Sequence, residues 1–214
     1  MSKAEAIFDF LDKWRCLPAY QLERRADIFF ALYLPEIIAY KFALDTKIII
    51  PEFPIRIGDI FRDSSINKSF KVDYLIVTGR SNHFIFVELK TDVGSIRPKQ
   101  DWYLTQAQNA GMRKLIDGII QICSVTQQKR KYRALMNLLS DAGLVQISED
   151  GYKNLASDGA QIEILYIQPR SANGNISIVS FPEVARIVSI QTDEISQRFA
   201  RSLVRWEKSP AEAE

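Results

Sequence analysis

The chain has 214 residues, 47% of them apolar and 25% charged, which suits one soluble globular domain with enough core to fold alone. Its 28 basic and 26 acidic residues leave a formal charge of only +2, and one histidine (His83) and two cysteines (Cys16 and Cys123) are its whole stock of imidazole and thiol ligands. A four-ligand zinc finger is thereby excluded, a zinc hydrolase is disfavoured, and any Ser-His-Asp or Cys-His mechanism has to run through His83 alone.

From the N-terminus, Ala4–Leu17 places Ile7, Phe8, Leu11 and Trp14 at helical spacing, with Pro18 closing the helix. The same stretch carries acids among its apolar residues and so holds no signal-peptide core. The longest aliphatic run near the middle, Ile48–Ile50, is far too short to cross a bilayer. A reducing cytoplasmic setting is expected, with both cysteines as packed thiols rather than a bridge. Leu22–Phe42 reads as a second helix that kinks or restarts at Pro35, which puts Glu36 in the first new turn.

The period then changes. Ile48–Ile50 and Ile55–Ile57 read as short strands flanked by Pro51 and Pro54. Lys71–Thr78 and His83–Lys90 read as a hairpin turning through Gly79-Arg80-Ser81-Asn82. Helical spacing returns over Lys99–Ser124, with Trp102, Leu104, Leu115 and Ile119 apolar, and again over Lys129–Ala142, stopped by Gly143. Two more strands, Gln161–Gln168 and Ile176–Val179, precede closing helices at Phe181–Ile187 and Glu194–Trp206, and residues 209–214 read as a disordered tail. This order predicts a mixed sheet covered by helices.

The hairpin carries the chemistry. Side chains two apart on a strand share a face, so Glu88 and Lys90 point together. Asp73 lies fifteen positions before Glu88, and a turn centred on Arg80-Ser81 sets the two acids opposite each other. Their flanks, Leu75, Val77, Phe84 and Phe86, are apolar. Charges on such a face are costly unless paired or metal-bound, and oxygen-only ligation suits Mg²⁺. A solvated Glu-Lys pair is the plainer reading of the E-x-K spacing alone; the mid-strand Asp73 is what raises the functional one.

Asp73-x14-Glu88-Leu89-Lys90, set behind helices and a first strand and followed by a long helix, resembles the PD-(D/E)XK nuclease superfamily. The run Phe86-Val87-Glu88-Leu89-Lys90-Thr91-Asp92 is particularly similar to its RecB-like and restriction-endonuclease-like members. The likeness covers roughly Glu36 to Ile122, with Gln161–Gln168 fitting a later core strand; Val72 stands where the motif has proline. It implies an α/β restriction-endonuclease-like fold, with a mixed sheet flanked by helices and an N-terminal helical segment. Residues 1–208 would form a single domain: helices over 1–45, core over 46–170, and the closing strand and helices over 171–208. It implies a Mg²⁺-dependent nuclease acting on DNA, with Mn²⁺ as a substitute ion and a homodimer as an open assembly. In that scheme Asp73, Glu88 and the Leu89 carbonyl hold the metal, and Lys90 positions or activates the attacking water.

The family often adds an acid from the helix before the first core strand. Glu36 is the candidate, although the macrodipole also favours a glutamate at a helix start. Glu23 and Asp27 are rivals in a charged stretch better read as a solvated face. RecB-like nucleases carry a glutamine and a tyrosine on the following helix. Gln100-x2-Tyr103 is similar to that pattern but one residue short, and Arg97 and Lys99 would join them at substrate. Gln106 and Gln108 read as water-facing, and His83 as a surface residue. The aromatics Phe84, Phe86, Trp102 and Tyr103 read as packing rather than stacking platforms.

Residues 97–133 hold eight basic side chains and two acids, a net +6 that leaves the rest of the chain at −4. A basic face beside an acid cluster suits a phosphodiester, while Lys129-Arg130-Lys131 reads equally as a solvated helix face. No Gly-rich phosphate loop is present, against a nucleotide-driven motor. The alternative from another class is a catalytically inactive nucleic-acid or protein interaction module on the same fold. A small-molecule hydrolase is disfavoured by the basic segment.

Overall fold

A computed structural model describes residues 2–61, 66–91, 98–171 and 177–208. Helix α1 (Lys3–Trp14) starts where the Ser2 hydroxyl accepts from the Glu5 amide at 3.1 Å. Helix α2 (Leu22–Phe42) runs unbroken through Pro35 and ends at Ala43 in the left-handed region. The expected restart at Pro35 is therefore corrected, and Glu36 is a mid-helix residue. An internal proline costs roughly 3 kcal/mol. Here Phe30, Tyr33, Leu34, Ile37 and Ile38, all buried, hold both halves of the helix in one core.

Strand β1 (Thr46–Arg56) is a single strand that takes in Pro51 and Pro54, where two short runs were expected, and Ile57 instead opens the short helix α3 (Ile57–Phe61). β2 (Ser69–Thr78) and β3 (His83–Leu89) form the expected hairpin. The long helix expected next is two, α4 (Pro98–Ala110) and α5 (Met112–Val125), because Gly111 takes φ 80° between them. After α6 (Lys129–Asp141) comes a two-stranded hairpin, β4 (Val145–Ser148) and β5 (Gly151–Asn154), whose strands are too short and too polar to show an apolar alternation in sequence. β6 (Gln161–Gln168), β7 (Ser177–Ser180), α7 (Phe181–Val188) and α8 (Glu194–Trp206) follow.

The main sheet has the strand order β1-β2-β3-β6-β7, antiparallel through β1, β2 and β3 and parallel between β6 and β7. The class is mixed α/β. The chain divides into two compact units, whose boundary passes through β3 after Glu88 and through β6 after Ile164.

The first unit (residues 1–45, 89–96 and 165–214) is built on helices α1, α2, α7 and α8. Phe199 is its hub. Its ring lies 5.1 Å from that of Phe30, 5.6 Å from Tyr33 and 6.0 Å from Trp206. The Ser180–Glu183 capping box starts α7, and the Asp193 side chain caps α8 by accepting from the Ser196 amide.

The second unit (residues 46–88 and 97–164) packs α5 on β1, with Phe53, Val72, Phe86, Leu115 and Ile119 wholly buried. Cys123 is buried as expected, whereas Cys16 is exposed, just beyond the end of α1. No helix among the described residues is long and apolar enough to cross a membrane. The tail, 209–214, lies outside the described residues.

Candidate functional site

The β2–β3 register pairs Leu75 with Phe86 and Tyr74 with Val87, so the next rung sets Asp73 across from Glu88. Both acids belong to the second unit. The tight turn that fixes this register has Asn82 at φ 52°, a conformation that asparagine tolerates. β3 is buried along its whole length, as a strand with neighbours on both edges should be, and Glu88 is only 2% exposed within it. Asp73 is half-buried. A carboxylate placed like Glu88 keeps its charge only with cations or donors around it.

Leu89 and Lys90 follow Glu88 in the chain and fall in the first unit, at 1% and 4% exposure. The Lys90 amide donates to the Ile167 carbonyl at 2.8 Å, which ties this stretch to β6. Glu36 also belongs to the first unit. Its Oε1 accepts from Gln191 at 3.3 Å, and its buried Oε2 has no hydrogen-bond partner among the described residues. One turn earlier, burial raises the Tyr33 phenol above its ordinary pKa, although the hydrogen bond it shares with Ser196 opposes the shift. Of the rivals, Asp27 is exposed and Glu23 half-exposed, in keeping with a largely solvated face.

The substrate candidates fare unevenly. Arg97 lies outside the described residues, and Lys99 and Gln100 are described only as backbone positions in the first turn of α4. Tyr103 sits in an aromatic cluster, its ring 5.0 Å from Phe70, 5.3 Å from Trp102 and 6.0 Å from Phe61. Gln108 does not simply face water: it donates to the Ile162 carbonyl at 2.7 Å and anchors α4 to β6. Gln106 is half-buried.

His83 is corrected outright. It is 1% exposed, with Nε2 2.8 Å from Glu163 and Nδ1 3.2 Å from the Thr78 hydroxyl. A surface position looked natural because His83 adjoins a polar turn. Its carboxylate partner lies eighty positions away on β6, beyond the reach of local pattern. A second buried polar group was also missed, at the β1–α3 junction. Arg56, 2% exposed, donates to Asp59 at 2.9 Å and to Asn67 at 3.0 Å. Burial pushes the Asp59 carboxyl above its ordinary pKa, against the pull of Arg56.

Among the described residues no three His, Cys, Asp or Glu side chains gather as a metal-holding group. The donor set on this hairpin is two carboxylates plus main-chain carbonyls. That set fits a hard divalent cation, which takes one or two carboxylates and completes its shell with carbonyl and water oxygens. No protein-family model, no curated protein and no solved structure matches the chain.

Proposed function

We propose that the protein is a metal-dependent nuclease that hydrolyses phosphodiester bonds of DNA, on a restriction-endonuclease-like form of the α/β fold. The observation that carries this reading is the hairpin register, which, extended one rung beyond Tyr74 and Val87, sets Asp73 across from a Glu88 buried at 2% exposure in a strand otherwise built of packing residues and the inward-facing His83. A purely structural strand has little reason to bury a carboxylate and then, two residues on, a lysine at 4% exposure. The likeness of Phe86–Asp92 to the PD-(D/E)XK motif supports the same conclusion.

Asp73, Glu88 and the Leu89 carbonyl would hold Mg²⁺, or Mn²⁺ in its place. The bound ion supplies stabilisation of the negative charge that develops on the phosphoryl oxygens. Lys90 holds the attacking water by donating to it and orients its lone pair toward phosphorus. The resemblance would add Glu36 as a further carboxylate, and Arg97, Lys99, Gln100 and Tyr103 as contacts to the nucleic acid.

The test compares wild type with Lys90→Ala and Asp73→Asn on several DNA and RNA forms in Mg²⁺, Mn²⁺ and EDTA. Wild type should cut DNA only with metal, and either variant should lose at least about 100-fold in rate. Equal rates in wild type and Lys90→Ala, or cleavage that persists in EDTA, overturn the mechanism. No cleavage of any substrate transfers the fold to the class of non-catalytic binding modules.

A further inference from the structure

The second unit carries a groove of about 800 Å³, within the range of ordinary ligand clefts, that the nuclease reading does not use. One wall is a face of α6, where Lys131, Tyr132, Leu135 and Leu138 recur at helical spacing. The other is formed by β1 around Pro51 and Pro54 and by the entry to β2. The floor is apolar and partly aromatic, and the rim is cationic. Lys68, Lys71 and Lys131 line the groove against one acid, Glu52, and that acid is bound to Lys71 at 2.7 Å with both side chains largely exposed. The lining charge is thus positive.

Two chemistries could answer a positive rim over an apolar floor: a single-stranded polynucleotide or an acidic peptide. β1 is an edge strand of the main sheet, the usual template on which a peptide adds as a further strand. Here Pro51 and Pro54 lie three apart, so one of them removes an amide donor from the open edge, and Glu52 between them takes φ 51°, which breaks the extended run. A peptide strand would find a poor ladder. A single-stranded nucleic acid needs no ladder: its phosphates pair with ammonium groups, and its bases lie on aromatic and apolar side chains such as Tyr132 and Leu135. The lining also includes the strand that carries Asp73. Lys71 precedes Asp73 by two residues on β2, on the same face and about 7 Å away.

We propose that this groove binds a single strand of nucleic acid and delivers it toward Asp73. The delivery rests on the nuclease reading, but the binding does not. The test is therefore made in EDTA, with no cleavage, by fluorescence anisotropy of a labelled oligothymidylate. The same strand in duplex form and a polyglutamate peptide serve as competitors. Wild type should prefer the single strand to both. Lys68→Glu with Lys131→Glu should weaken binding at least about tenfold and reduce the slope of log affinity against log salt by about 1.4, at roughly 0.7 per lost phosphate contact. Tyr132→Ala should weaken binding about 5- to 100-fold while leaving that slope unchanged. Both lysines are exposed, and Lys131→Glu alone stands in if the double variant does not fold. Unchanged affinity in the lysine variants overturns the proposal, as does stronger competition by the duplex or by polyglutamate. Unchanged binding defeats the groove and absent cleavage defeats the nuclease, so the two ideas fail separately.

Discussion

Gly118 lies midway along α5, where alanine in place of glycine ordinarily stabilises a helix by about 0.5–1 kcal/mol. Here a Cβ would stand 1.9 Å from Asp59 Oδ2 and 3.1 Å from the Arg56 Cβ. The carboxylate cannot simply swing aside, because its other oxygen holds the guanidinium of Arg56, which is nearly wholly buried. Gly118→Ala should therefore destabilise by about 1–3 kcal/mol in a urea melt, the range for overpacking. With Asp59→Ala also present, the penalty of the added methyl should largely vanish; a stabilising Gly118→Ala would refute the contact. Asp59 itself is held above its ordinary pKa, so its contribution to folding is complete below about pH 3.9 and is lost as pH rises through the raised value. None of this was legible locally, since glycine in a helix names no neighbour. The β2–β3 hairpin was legible, because a four-residue turn fixes the register of both strands at once.

At the scale of elements, the same contrast separates what neighbours in sequence decide from what the core decides. Glu194–Trp206 was readable to the residue, having an acid as N-cap and a strong apolar stripe. The unbroken α2 was not, because the proline penalty is local and the burial that outweighs it is tertiary. The joining of α1 to α8 is tertiary too. Arg198, 2% exposed, donates to Glu5 at 2.8 Å, Asp9 at 2.7 Å and Asp12 at 2.8 Å, three acids on one face of α1, and the Trp206 indole donates to Asp12. Replacing Arg198 with methionine leaves three like charges facing an apolar side chain and should cost about 3 kcal/mol. The Arg198 hydrogen bond holds the Asp9 carboxyl below its ordinary pKa. A depressed acid stabilises the fold above its unfolded pKa, near 3.9, and that stability is lost as pH falls through the lower folded value. The acid-unfolding limb below about pH 4 should accordingly be shallower in Arg198→Met than in wild type. Parallel acid limbs in circular-dichroism titrations would show that Asp9 owes its shift to something else.

For the whole molecule, the overall +2 conceals the basic stretch 97–133, but the structure trims what that stretch can offer a polyanion. Lys129 spends its ammonium on the last turn of α5, donating to the carbonyls of Cys123 at 2.9 Å and Ser124 at 2.6 Å, and Arg113 is taken by Asp158 at 2.6 Å. Sequence arithmetic counts such residues at full value because charge is visible in sequence and its partner is not. The acid pair is a different matter: Asp73 and Glu88 stand fifteen positions apart in the chain and are brought near one another only by the folded hairpin. A divalent cation that binds them therefore binds the native state and not the unfolded ensemble, and must raise the melting temperature by mass action. At a metal concentration about 100 times the dissociation constant the gain is about 2.7 kcal/mol, which for a protein of this length is a shift of roughly 5–10 °C. The shift should appear with Mg²⁺ and Mn²⁺ in wild type, disappear on adding EDTA, and be absent from Asp73→Asn and Glu88→Gln. It should survive in Lys90→Ala, because an ammonium is not a ligand for a hard cation. A wild-type melt indifferent to either cation, or an equal shift in Asp73→Asn, removes the metal from this hairpin.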